Sequence, residues 1–159
     1  MELFANIKSS KLKREAENFV RQLSDTFALG GTDLYTDENA LTLAQELAKS
    51  TVDKTQIRGL VEIAKGTGSI ADILDTIKVR VGRDYRGNGW NKEGIGKRLL
   101  NTLQSLRAKV DNFIKQHQQF ENEDSDVARL IHLQLCRNFL EVLAAHFEYI
   151  KRIEEDKNE

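Results

Sequence analysis

Proline is absent from all 159 residues of this chain. Proline breaks helix interiors, so a helical bundle does without it at no cost. A sandwich or barrel, by contrast, uses proline and glycine freely at its many turns. The apolar spacing falls on the helical side of that choice. Leu99, Leu103, Leu106, Val110, Phe113, His117 and Phe120 recur at alternating intervals of four and three, the seam of a helix that packs along one stripe. A helix over 91–120, capped by Asn91, would be about 45 Å long at the usual rise per residue.

A second long helix is expected beyond the acidic turn Glu121 to Asp124, with Asp124 or Ser125 as its cap. Val127, Ile131, Leu135, Phe139, Val142, His146 and Ile150 line one face, and Leu130, Leu133, Leu140, Leu143 and Phe147 line another. Two apolar rows predict the most buried helix of the fold. Joined by a short turn, the two long helices should form an antiparallel hairpin on which shorter helices pack. Those shorter helices are predicted over 8–28, closed by Gly30 and Gly31, and over 38–49, capped by Asp37. A third opens at Thr51 or Asp53 and ends at Gly66, and a fourth opens at Ser69. Residues 77–81, Ile-Lys-Val-Arg-Val, alternate as a strand would, but no partner strand is in view, which favours helix. The expectation is an all-α bundle of five to six helices, one domain over 1–153 and a polar tail over 154–159.

Composition narrows the function classes. The only cysteine is Cys136, which excludes an intramolecular disulfide and fits a reducing, cytoplasmic setting. The first residues carry no basic stretch ahead of a long apolar one, so no signal peptide is expected. No uncharged apolar run approaches the length of a membrane span.

Searches for catalytic patterns return little. The glycines at 87, 89, 94 and 96 lack the spacing and preceding strand of a dinucleotide fingerprint, and no phosphate loop ending in Gly-Lys-Ser/Thr is present. His132 and Cys136 share a helix face at i and i+4, yet a structural zinc site needs four ligands. No arginine stands four to six residues before a histidine, the pattern of many small helical ribonucleases. Neither an enzyme nor a cofactor is expected.

Charge is distributed unevenly. Residues 78–98 hold seven basic residues against two acidic ones, a net of +5, while residues 118–159 hold ten acidic against five basic, a net of −5. Within the basic stretch Tyr85 and Trp90 sit among Arg80, Arg83, Arg86, Lys97 and Arg98. Arginine's planar fork suits phosphate, aromatic rings offer stacking surfaces, and glycines let backbone amides approach a ligand. Nucleic-acid backbone is therefore the expected ligand. The plain alternative is a solvated loop whose Trp90 tucks into the bundle.

Three segments resemble the small helical subunit of class 1 CRISPR effector complexes, the type III-A form above all. They are Asp53-Lys-Thr-Gln-Ile-Arg-Gly-Leu60, Ile77-Lys-Val-Arg-Val-Gly-Arg83 and Phe139-Leu-Glu-Val-Leu-Ala-Ala-His-Phe147. The family's tyrosine in the basic segment is missing here, and the glycine-rich insert is a departure. The resemblance implies a non-catalytic protein stacked in several copies along a guide-RNA complex, beside other subunits. It would hold a target or displaced strand by its backbone, with Arg58, Lys78, Arg80 and Arg83 facing the nucleic acid. Guide pairing would then read sequence while this chain reads only backbone. The rival class is a helical adaptor or self-associating module, with the heptad seam as its interface.

Overall fold

The computed structural model describes residues 2–29, 39–122 and 126–158. Among the described residues six α-helices follow in order: α1 (Ser10–Leu29), α2 (Ala40–Ala48), α3 (Lys54–Gly66), α4 (Ile70–Arg83), α5 (Ile95–Gln116) and α6 (Val127–Lys157). Short 3-10 turns occupy Glu2–Phe4, Lys92–Gly94 and Gln118–Asn122. No strand occurs among the described residues, so the all-α expectation holds.

Residues 77–81 lie inside α4. Their alternation is overridden by the longer stripe to which they belong, in which Ile73 and Ile77 are fully buried and Ile70, Leu74 and Val81 pack beside them. The helix starts follow local polar chemistry. Asn39 accepts from the amide of Thr42 at 2.9 Å to open α2, and Asp53 accepts from the amide of Gln56 at 2.9 Å to open α3, satisfying amides that the first helical turn leaves without partners. The expected caps Asp37, Asp124 and Ser125, and the helix-closing Gly30 and Gly31, lie outside the described residues.

The two long helices expected from the sequence, α5 and α6, are present and pack against each other, and the axis of the bundle is α6. It packs against α1, α2, α3 and α5, and its most extensive contact is with α2. The reason is the small-residue face of α2, where Ala40, Ala44 and Ala48 are buried with Leu43 and Leu47 and let the two backbones approach closely. The seam residues Leu99, Leu103, Leu106 and Val110 on α5 are fully buried within the chain itself. The N-terminal turn docks as well: Phe4 and Ile7 belong to the core, a contact that the sequence pattern did not reveal.

Two predicted boundaries move. α5 opens at Ile95 instead of Asn91, because Glu93 and Gly94 adopt positive φ (53° and 67°) and interrupt the helix. The other is the polar segment expected from residue 154 on, whose first four residues continue α6 as far as Lys157. Arg152 meets Asp156 one turn on at 3.4 Å, and Lys54 of α3 approaches Glu155 at 4.0 Å.

Candidate nucleic-acid interface

Asp84 turns the chain where α4 ends. One carboxylate oxygen accepts from the amide of Gly87 at 3.2 Å, and the other accepts from the amides of Gly89 at 3.0 Å and Asn91 at 2.8 Å. Gly87 has a φ of +72°, a conformation that a side chain would resist. Asn91, freed from capping α5, donates through its side chain to the carbonyls of Val81 at 2.8 Å and Asp84 at 3.1 Å. The loop is also tied to the α2–α3 connection, where the Thr51 amide donates to the carbonyl of Asn88 at 2.9 Å and Lys92 Nζ donates to the carbonyl of Lys49 at 2.7 Å. At its far end α4 and α5 cross closely: a Cβ on Gly96 would lie 2.3 Å from a methyl of Val81 and 3.0 Å from the Trp90 carbonyl oxygen.

This architecture assigns the two aromatics opposite places. Trp90 closes the α4–α5 crossing and is only 3% exposed, whereas Tyr85 projects from the loop and is 93% exposed. Trp90 therefore has no face to offer a base, and its expected stacking role is corrected to a packing role. One side of the indole is covered by Arg80, whose guanidinium carbon lies 5.8 Å from the ring centroid. The expected supply of open glycine amides is corrected too, since those of Gly87 and Gly89 are taken up by Asp84. An aspartate followed by glycines three and five residues later was the available signal for an anchored turn whose middle residues point outward.

The predicted cations separate into committed and uncommitted groups. Arg58 donates to Glu148 of α6 at 2.5 Å, and Arg98 is paired with Glu46 of α2. Both brace helices against one another. Lys78 stands 3.8 Å from Asp75 on its own helix. Arg83, Arg86 and Lys97 are exposed and have no ion pair among the described residues. Arg80 is half-buried and donates through one terminal nitrogen to the Gln56 carbonyl at 2.5 Å. Burial pulls its pKa below the ordinary arginine value, partly offset by the nearby Asp53 carboxylate. It still carries its charge, and an anion arriving there would compensate a cation that water solvates poorly.

Two adjoining hollows open on this surface. The inner, of about 310 Å³, is lined by Thr51, Gln56, Arg80, Arg83, Asp84, Gly89 and Trp90. The outer, of about 410 Å³, shares Thr51, Arg83 and Asp84 and adds Tyr85, Arg86 and Asn88. Three arginines and an open aromatic ring thus share one face. His132 and Cys136 lie elsewhere, both turned toward the Leu103 carbonyl of α5, at 2.8 Å from Nε2 and 3.8 Å from Sγ. No known family, curated protein or solved structure matches this chain.

Proposed function

We propose that this protein binds nucleic-acid backbone through Arg80, Arg83 and Arg86, independently of sequence and without catalysis. The observation that carries this reading is the contrast among arginines. Arg58, Arg98, Arg107, Arg129 and Arg152 each meet a carboxylate, while Arg80, Arg83 and Arg86 line two adjoining hollows beside the loop that Asp84 fixes and form no ion pair among the described residues. Cations gathered on one face with no ion pair among the described residues suit a repeated anion, and phosphates along a strand are that ligand. Lys97 extends the patch in sequence from Gly96, which lies against Val81 and Trp90. In the setting that the sequence resemblance implies, copies of the chain would line an RNA-guided CRISPR assembly in the cytoplasm and hold its target or displaced strand. The seam on which an adaptor would rely is already buried inside the chain.

Counterion release supplies the test. With about four cations on phosphates, log affinity for a single strand should fall with log salt at a slope near −3. Isolated affinity should be weak, on the order of 10 μM or poorer at physiological salt, because one small patch gains avidity only from neighbouring copies. Replacing Arg80, Arg83 and Arg86 together by alanine should flatten the slope equally for unrelated sequences. Labelled strands should stay intact with or without divalent metal. An unchanged slope would move the site elsewhere, first to Lys8, Lys11, Lys13 and Arg14 at the start of the chain. Cleavage lost on His132→Ala or His146→Ala would overturn the non-catalytic reading.

A further inference from the structure

We infer that one base of an unpaired strand stacks on Tyr85 while the adjoining phosphate enters the cleft between Arg80 and Arg83. The inference rests on the backbone-binding reading and adds to it a contact with a base.

Three observations converge on it. First, Tyr85 is 93% exposed in a loop that is otherwise tightly satisfied. Asp84, Asn91 and the Thr51 amide hold that loop from three sides. An aromatic ring presented on a fixed backbone loses little freedom when a second ring lies on it, so more of the stacking energy remains as affinity. Second, Tyr85 lines one hollow together with Arg83 and Arg86, which have no carboxylate partner among the described residues. Base and phosphate could therefore be met within one short stretch of chain. Third, the two hollows share a wall of Thr51, Arg83 and Asp84. The outer one carries Tyr85 and Arg86, and the inner one carries Arg80, where an anion would find a partly desolvated cation. The Asp84 carboxylate on the shared wall already accepts from three amides, which offsets the repulsion it would otherwise exert on a phosphate.

The geometry also selects the form of nucleic acid. A duplex keeps its base faces inside its own stack and shows a protein only base edges and phosphates, whereas an unpaired strand has faces free for an aromatic platform. RNA and DNA share this chemistry, and both belong in the test.

The experiment measures binding of the full chain to labelled strands of one mixed sequence, made as RNA and as DNA, by fluorescence anisotropy. Each strand is offered alone, annealed to its complement, and with a run of abasic sites. Tyr85→Ala and Tyr85→Phe are compared with the native chain, and circular dichroism checks that the exposed substitutions leave helicity unchanged. On single strands, Tyr85→Ala should weaken binding roughly tenfold and Tyr85→Phe by less than about twofold. Tyr85→Ala should make no difference on duplex or abasic strands, and the native chain should prefer the intact single strand to both. Preference for the RNA or the DNA arm would identify the sugar, with the stacking contact supported in either case. Full binding by Tyr85→Ala, or duplex bound as tightly as single strand, would overturn the inference while a salt-sensitive slope left the backbone reading intact. No salt-sensitive binding to any of these probes would overturn both.

Discussion

His132 is held on α6 with Nε2 donating to the Leu103 carbonyl at 2.8 Å. Burial lowers its pKa below the ordinary value of 6.5; the hydrogen bond to Leu103 and the charge of Asp111 oppose the shift, and Arg107 adds to it. The folded chain therefore takes up this proton less readily than the unfolded chain does. Its contribution to stability is complete above the unfolded value and is lost as pH falls toward the folded one. The urea midpoint should thus drop between about pH 7.5 and about pH 5.5, and His132→Gln should show a smaller drop even if its overall stability is lower. An equal drop in both proteins would remove His132 as the source. Four residues on, burial pushes the Cys136 thiol up to about 12. Since the thiolate is the reactive form, a thiol reagent should leave the native protein unmodified at neutral pH and label it once it is unfolded.

Among the elements, the α4–α5 crossing is where a single methyl group matters most. Gly96→Ala would place its Cβ 2.3 Å from the Val81 methyl, so α4 and α5 must separate, at a cost of about 1–3 kcal/mol. Gly82 is a control from the same region: it lies within α4 and has nothing within 4 Å of the added carbon. Gly82→Ala should be neutral or stabilise by about 0.5–1 kcal/mol, because alanine favours helix over glycine. Denaturant titration of both variants checks the pair, and equal effects would mean that the crossing is not tightly packed. The same region shows what sequence patterns can convey. The helical stripes were legible because burial repeats with the helix period, as with Ile73 and Ile77 on α4. The fate of each loop residue was not, because it depends on contacts distant in sequence. Trp90 is buried because Arg80 and the α4–α5 crossing close over it, and Tyr85 is exposed because Asp84 draws the neighbouring amides inward. Likewise, charge counts marked 78–98 as basic, but only the fold reveals that Arg98 is neutralised by Glu46 on α2 while Arg83 is left without a carboxylate partner among the described residues.

On the scale of the whole molecule, α6 touches four of the other five helices extensively and α4 more lightly. A core threaded by one helix should not come apart in pieces. The chain supplies two native reporters at separate places in that core. Its only tryptophan, Trp90, lies at the α4–α5 crossing, and its only cysteine, Cys136, lies midway along the buried face of α6. Unfolding should shift Trp90 emission to longer wavelength as the indole meets water, and should open Cys136 to labelling. In a two-state transition, probes at different sites report the same midpoint. Trp90 emission, thiol accessibility and helical circular dichroism should therefore give superimposable urea curves. An earlier Trp90 transition would mean that α4 and the Asp84 loop open while α6 remains packed. In that case the arginine face would be a separately mobile unit, and the fixed spacing of Arg80, Arg83 and Tyr85 on which the binding proposals depend would not hold.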